Sequence, residues 1–219
     1  MYFLKEFVTA AKKYWNNKTL GIREILSIDD EKQPNGKVFK KLSLGGYKWS
    51  TYENTYEKVN NLSNGLLNLG LKSNSPAVLF AETQPQWLIG ALACFRIKVP
   101  VVTLYSTLGT EALTYGINQT NTTVVITSGE QLSKLQKILP RIPSVTHIVV
   151  MCNRFTHKHV LEFRKNTNQV QVFTMEEVQE IGVESPLIED YEKPKRDDVA
   201  IIMYTSKSEN PIKICGHII

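Results

Sequence analysis

Residues 77–104 read AVLFAETQPQWLIGALACFRIKVPVVTL. The stretch opens with a short apolar run, Ala77–Phe80, and closes with a second apolar run at residues 99–104. Between them, Pro85–Arg96 has the length and the apolar spacing of a helix. A strand, a helix and a second strand form a βαβ unit, whose two strands pair in parallel. The stretch therefore predicts an α/β fold.

The same alternation continues to the end of the chain. Further apolar strands are predicted at 124–126, 147–150, 170–173 and 199–204, and helices at 110–120, 128–139, 157–165 and 175–181. Continuously apolar strands indicate a mostly parallel sheet that is covered on both faces. Ligands of such sheets bind at the carboxyl ends of the strands, so loops 81–84 and 105–109 are candidate site loops, although solvated loops explain them equally well. Glu82 is either a catalytic carboxylate or a cap on the next helix.

The N-terminal part has a different pattern. Residues 3–15 predict an amphipathic helix, which either docks on the domain or lies on a membrane surface. Residues 27–36 read as a loop, and residues 37–50 read as a β-hairpin that turns at Gly45 and Gly46. Ser50 opens a capping box, so a helix should follow and end at Gly70.

Composition narrows the class of protein. The chain has 219 residues with 42% hydrophobic and 21% charged residues, which is typical of a soluble globular protein. Its net charge of +5 is spread thinly, so no nucleic-acid partner is predicted. Three widely spaced cysteines favour a reducing, cytosol-facing compartment. The longest apolar run is too short for a transmembrane segment.

His157 and His159 follow Cys152, but no further ligand is near, so no metal site is predicted.

A polar loop follows the last strand. It reads TSKSENP at 205–211, and Lys213 comes two residues later. Hydroxyls, backbone N–H groups and a lysine after a buried strand are typical of a phosphate cradle. The loop has no glycine between Thr205 and Cys215, and it carries Glu209, an anion where an anion should bind. A polar turn after a core strand is therefore the alternative interpretation.

Seven segments together resemble one family. They are GIREIL (21–26), QPNGKVFKK (33–41), LFAETQPQW (79–87), VTLYSTLG (102–109), INQT (117–120), ITS (126–128) and AIIMYTS (200–206). In this order they resemble the long-chain fatty acyl-CoA synthetases, or fatty acid–CoA ligases, of the adenylate-forming superfamily, and most of all its animal members. The resemblance implies that residues 1–26 form an N-terminal helix and lead-in. It also implies that residues 27–219 form an incomplete N-terminal adenylate-forming (AMP-binding) domain, which ends just after a degenerate phosphate loop at 204–213.

The resemblance also implies the site residues and the reaction. The family's phosphate loop reads YTSGSTGxPKG, and it is matched here by Tyr204, Thr205, Ser206, Ser208 and Lys213. Its three glycines fall at Lys207, Asn210 and Ile214, and its second threonine at Glu209. Family members use ATP and Mg²⁺ to convert a fatty acid to an acyl-adenylate, and CoA then takes the acyl group. The family's acyl tunnel, acidic magnesium ligand and catalytic lysine lie further on, so no residue here is assigned a catalytic or metal-binding role.

Two functional expectations follow from the resemblance. The first is ATP-dependent activation of long-chain fatty acids in the family, at the cytosolic face of the endoplasmic reticulum or other lipid membranes. The 219-residue chain itself is then inactive and binds no cofactor productively. The alternative is a non-catalytic remnant of the synthetase scaffold that binds a membrane or a partner, through residues 3–15 or an exposed sheet edge.

Overall fold

A six-stranded parallel sheet organises the protein, and its strand order is β7-β6-β5-β3-β4-β8. The structure, a computed structural model, describes residues 2–184, 194–195 and 197–204. Every neighbouring pair in this sheet is parallel, which confirms the predicted α/β class. The strands are β3 (Ala77–Phe80), β4 (Val101–Thr103), β5 (Val124–Ser128), β6 (His147–Met151), β7 (Gln171–Thr174) and β8 (Ile201–Met203).

Helices cover both faces of this sheet. They are α1 (Tyr2–Lys13), α2 (Tyr52–Asn68), α3 (Pro85–Arg96), α4 (Thr110–Gln119), α5 (Leu132–Ile138), α6 (His157–Lys165) and α7 (Met175–Glu184). Along β3, Leu79 packs in the core cluster with α2, α3 and α7, whereas Val78 and Phe80 pack in the cluster with α4, α5 and α6. Because side chains alternate along a strand, one apolar run supplies two separate cores.

The region after β5 departs from the predicted single helix at 128–139. Strand β5 continues to Ser128, and a 3₁₀ turn at Gly129–Gln131 precedes α5. A second 3₁₀ turn at Leu139–Arg141 follows α5. Pro140 lies in that turn, and a proline lacks the N–H that would continue an α-helix.

The N-terminal hairpin is longer than predicted and turns elsewhere. It pairs β1 (Lys18–Lys32) with β2 (Val38–Thr51) in an antiparallel ribbon. The predicted loop at 27–36 is therefore confirmed at 33–36 but wrong at 27–32, which belong to β1, and the predicted turn at Gly45 and Gly46 is wrong. The chain reverses at residues 33–37, where Gly36 has φ +80°, and the two glycines lie inside β2 beside a register shift.

Cross-strand charge pairs explain why an acidic, loop-like segment forms a strand. Lys40 Nζ lies 2.5 Å from Asp30 Oδ1, and Lys41 Nζ lies 3.5 Å from Glu31 Oε2. Opposite charges facing each other across an antiparallel pair stabilise the pairing. The partners lie ten residues further along, on the other strand of the hairpin, so the acidic segment alone did not indicate them.

The start of the chain packs on the domain. Leu4 and Phe7 of α1 pack against the core cluster of α2 and α3, and Phe3 makes an edge-on contact with Phe95. This confirms the interpretation of residues 3–15 as a docking helix. The resemblance divides the chain between residues 26 and 27, but both residues lie within the single strand β1. The boundary between an N-terminal lead-in and the AMP-binding domain remains a prediction.

Helix α2 begins one residue later than predicted. Its N-cap is Thr51, not Ser50, because Thr51 Oγ1 accepts a hydrogen bond from the Asn54 N–H at 3.1 Å. The helix ends before Gly70, which has φ +85°, as the sequence indicated. In the described part of the chain, none of the helices combines the length and the apolar character needed to cross a membrane.

Candidate functional site

The carboxyl ends of β3, β4, β5 and β8 form one edge of the central sheet. The chain leaves β3 towards the face of α3, but it leaves β4 and β5 towards the opposite face, where α4 and α5 pack. Loops that diverge in this way open a crevice at the strand ends, and such crevices are the usual ligand sites of α/β sheets. The topology therefore places the candidate site around the end of β3 and its neighbours.

Glu82 joins two of these strand ends. Its carboxylate accepts hydrogen bonds from Ser128 Oγ at 2.7 Å and from Gln131 Nε2 at 2.5 Å. Glu82 is exposed, whereas Ser128 and Gln131 are buried. The N-cap of α3 is Gln84, and that helix has no side-chain cap bond, so the helix-cap interpretation of Glu82 is wrong. Glu82 instead ties the end of β3 to the turn after β5.

The surroundings of Glu82 favour its ionised form. Burial raises the pKa of the Glu82 carboxyl, but three hydrogen bonds outweigh burial, namely those from Ser128, from the Glu82 N–H and from Gln131. The positive charge of Lys134 acts in the same direction, so the pKa lies below its ordinary value. At neutral pH Glu82 is a pure hydrogen-bond acceptor, which suits the two donors it faces.

Lys134 holds the second candidate loop, 105–109. Its ammonium group donates to the Ser106 carbonyl oxygen, has the Leu108 carbonyl oxygen at 3.4 Å, and lies 5.7 Å from the centre of the Phe80 ring. A cation above an aromatic ring is attracted to the ring face. Lys134 therefore connects α5, the end of β3 and the loop after β4.

Tyr204 is the one predicted phosphate-loop residue that lies within the described residues. Its hydroxyl donates to Gln119 Oε1 at 2.9 Å and has the Gly116 carbonyl oxygen at 3.3 Å. Burial, and then the neighbouring Tyr115, raise the pKa of Tyr204, so it stays a protonated donor. Thr205, Ser206, Ser208 and Lys213 lie outside the described residues. The structure thus places the start of the loop against α4.

A groove of about 960 Å³ runs along α4 beside Tyr204. Leu104, Leu108 and Tyr115 give it an apolar wall. Arg141 stands at its rim and donates to both Glu111 carboxylate oxygens, at 2.6 and 2.7 Å. Because this guanidinium is already paired with a carboxylate, the groove offers apolar surface rather than an anion site.

The histidines considered as metal ligands do not converge. His157 and His159 lie on α6, and Cys152 Sγ is 3.9 Å from His157 Nδ1. Among residues 2–184, 194–195 and 197–204, no group of three or more His, Cys, Asp or Glu residues could hold a metal ion.

Several site residues carry no local signal in the sequence. In the sequence, Gln131 and Lys134 look like ordinary positions of the predicted helix at 128–139. Gln119 looks like the polar end of a different helix, the one predicted at 110–120. Only the approach of strand ends from distant parts of the chain gives them partners. Sequence reasoning found the loops at this edge but missed the side chains that connect them.

Comparison with known proteins defines the family. Residues 28–209 match the family described as AMP-binding enzyme. The chain is 32% identical over 205 residues to "Long chain acyl-CoA synthetase 8" of Arabidopsis thaliana, covering 92% of this chain and 28% of that protein. It is 26% identical over 212 residues to "Long-chain-fatty-acid--CoA ligase 2" of Schizosaccharomyces pombe, covering 91% and 30%. The chain belongs to the AMP-binding enzyme family.

Solved structures agree on the fold. The A-PCP didomain of a carboxylic acid reductase from Segniliparus rugosus, solved with AMP, has a TM-score of 0.78 at 19% identity, covering 95% of this chain and 30% of that one. A long-chain-fatty-acid-CoA ligase from Archaeoglobus fulgidus has a TM-score of 0.66 at 15% identity, covering 94% and 34%. The chain thus spans about a third or less of these relatives. Its resemblance to long-chain synthetases is confirmed, while the assignment to the animal members remains a prediction.

Proposed function

We propose that this chain is the N-terminal part of an enzyme that activates long-chain fatty acids to acyl-CoA. One observation carries the proposal: residues 28–209 match the AMP-binding family, and long-chain synthetases align over more than 90% of the chain. The fatty acid carboxylate would attack the α-phosphorus of ATP and release pyrophosphate. The CoA thiol would then attack the acyl carbon, lose its proton and release AMP.

In the proposed enzyme, the role of the segment that follows β8 is to hold phosphate. Strand β8 ends at the carboxyl edge of the sheet, and Tyr204 is followed in the sequence by Thr205, Ser206, Ser208 and Lys213. Hydroxyls and a lysine neutralise and orient phosphoryl oxygens, which is the main physical task in phosphoryl chemistry. Mg²⁺ would accompany ATP, and the described residues of this chain supply no cluster of acidic ligands for it.

We further propose that the 219-residue chain does not form acyl-CoA by itself. The positions of the family's loop glycines hold Lys207, Asn210 and Ile214, and Glu209 adds a negative charge. Side chains at these positions would obstruct the backbone from wrapping a phosphate, and a carboxylate would repel it. The chain also covers only 26–31% of the length of its curated relatives.

The decisive experiment is to sequence the transcript beyond the codon for Ser206 and to assay the protein it encodes. We expect a glycine-rich loop, further coding sequence, and a product that consumes palmitate, ATP and CoA. A transcript that ends after Ile219 would contradict this, and so would a longer product without ligase activity. The 219-residue chain is the matched control, and measurable acyl-CoA formation by it would contradict its proposed inactivity.

The second candidate is a non-catalytic binding protein at the cytosolic face of a lipid membrane. One observation favours it: from Ile28 to Leu44 every residue of the hairpin is exposed except the half-buried Gln33. Phe39 is 56% and Val38 is 52% exposed there. Apolar side chains of this kind insert into membrane interfaces. Flotation with phosphatidylserine vesicles, compared with the F39S/V38S variant, tests this candidate. A protein that does not float would exclude membrane binding, and equal flotation of both proteins would exclude insertion through Val38 and Phe39.

A further inference from the structure

We infer that the ion pair between Lys98 and Asp198 is the anchor that positions β8, and with it the loop that begins after Tyr204. Lys98, Asp198 and strand β8 all lie in the part of the chain that the structure describes. Its value for nucleotide binding rests on the proposed function.

Lys98 is an unusual residue for its place in the fold. It lies in the turn between α3 and β4 with φ +59°, in the left-handed region that lysine rarely adopts. That conformation is strained for a residue with a side chain, because its Cβ comes too close to the following carbonyl oxygen. Its side chain is only 6% exposed. A strained backbone that carries a buried ammonium group persists only where the surrounding structure holds it.

Asp198 supplies the compensation. Its Oδ1 lies 3.3 Å from Lys98 Nζ, and the aspartate side chain is 17% exposed. Its second oxygen accepts the Lys195 N–H at 2.6 Å, so both carboxylate oxygens are engaged. Removing Lys98 takes the cation away from a mostly buried carboxylate, which is strongly destabilising. The pair therefore fixes residue 198 against the α3–β4 turn.

This fixed point matters because β8 is a short strand at the edge of the described sheet, although Ile201 and Ile202 pack against the two core clusters. The strand has three residues and, among the described strands, pairs only with β4. The Val101 N–H donates to the Ala200 carbonyl oxygen at 2.7 Å at the start of this pairing. A short edge strand opens easily unless its ends are held. Here Asp198 holds the start and the Tyr204 hydroxyl holds the end.

Register is what the anchor protects. A slip of one residue along β4 would turn every β8 side chain to the opposite face. Tyr204 would then leave Gln119 and the α4 groove. Lys98 is thus a positioning residue, which acts on the loop through β8 and touches no ligand.

Amide hydrogen exchange measures the anchor directly, with an internal control in the same segment. The Val101 N–H reports the β4–β8 pairing, whereas the Leu104 N–H donates to the Leu79 carbonyl oxygen at 3.1 Å and reports the β4–β3 pairing. In K98M we expect the Val101 amide to exchange about tenfold faster while Leu104 changes less than about twofold. K72M, which removes an exposed lysine nearby, should change neither.

Two further variants separate the ion pair from the backbone strain and from global loss of stability. K98G relieves the left-handed strain but removes the ammonium group, so it should loosen Val101 as K98M does. D198N should do the same, and K98M/D198N should loosen it less than the two single effects combined. Unchanged Val101 exchange in K98G, or equal acceleration of Leu104 in all variants, would overturn the inference.

ATP binding measures the functional consequence in a chain whose loop carries the family's three glycines and second threonine, K207G/E209T/N210G/I214G. We expect this variant to bind ATP and the added K98M change to weaken that binding about tenfold, as the loosened strand predicts. Equal affinity with and without K98M would overturn the positioning role. If the glycine-restored chain binds no ATP at all, the proposed phosphate loop fails, and the Val101 exchange alone decides the anchor.

Discussion

Gly65 of α2 lies directly against the carbonyl oxygen of Val178 in α7. A Cβ placed at Gly65 would overlap that oxygen and would lie 2.7 Å from Val178 Cγ1. The contact is reciprocal, because a Cβ at Gly182 of α7 would overlap the Asn61 carbonyl oxygen of α2. The two helices therefore touch through their backbones, and α7 is held close to the core without intervening side chains.

This contact predicts that G65A destabilises the protein by about 1–3 kcal/mol, because the helices must separate to admit a methyl group. The matched control is G90A in α3, where the added Cβ would have its nearest neighbour, Leu79 Cδ2, at an ordinary 3.5 Å. G90A should be neutral or should stabilise by up to about 1 kcal/mol, since alanine favours a helix over glycine. Urea unfolding of both variants checks this. Equal stabilities of the two variants would show that the helices yield freely.

The Glu82 network predicts a stability term that depends on pH. The pKa of Glu82 is lowered in the folded protein, so its contribution is fully present above the ordinary carboxyl pKa and is lost as pH falls through the lowered value. E82Q should lose about 1 kcal/mol at pH 7, a modest amount because Glu82 is exposed. The gap from the wild type should close towards pH 3.

Urea unfolding of the wild type and E82Q at several pH values measures this gap. E57Q, which changes an exposed carboxylate of α2, is the control and should show no such gap. A gap between wild type and E82Q that stays constant from pH 7 to pH 3 would mean that the charge of Glu82 is irrelevant to its hydrogen bonds.

Cys94 should resist thiol reagents in the folded protein. It is fully buried in α3, and burial raises the pKa of its thiol to about 12. Because only the thiolate reacts, modification at pH 8 should be roughly a thousandfold slower than that of an ordinary thiol. The C152S/C215S variant isolates Cys94, and C94S/C215S isolates the half-buried Cys152 for comparison. A similar rate for both thiols under native conditions would contradict the burial of Cys94.

Arg154 should hold the hairpin to the body of the domain. Its Nη2 donates to the carbonyl oxygens of Ile25 and Leu26, at 2.5 and 2.8 Å, beside a register shift in the ribbon. Trypsin cleaves a chain only where it opens locally, so R154M should speed cleavage at hairpin lysines such as Lys37 about fivefold, which corresponds to a loss of about 1 kcal/mol. K158M, which alters an exposed lysine of α6, should leave the cleavage rate unchanged.

The sequence by itself determined the parallel sheet and the helices between its strands. Helices α3 and α6 have the predicted bounds, and each predicted strand of the central sheet is found within two residues of its place. These elements follow from local pattern, because a buried strand is continuously apolar and an amphipathic helix repeats every 3.6 residues. The loop with Glu82 at the carboxyl edge was predicted for the same reason, whereas Tyr204 was assigned by the family resemblance.

Only the tertiary structure decided which distant groups meet. The hairpin turns at residues 33–37 and not at Gly45 as predicted, and Asp30 and Glu31 pair with Lys40 and Lys41 of β2. Glu82 accepts hydrogen bonds from Ser128 and Gln131 and does not cap the next helix. Lys98 has a left-handed backbone conformation and forms an ion pair with Asp198. In each case the stabilising partner lies elsewhere along the chain, and a local pattern carries no information about a contact that exists only after folding.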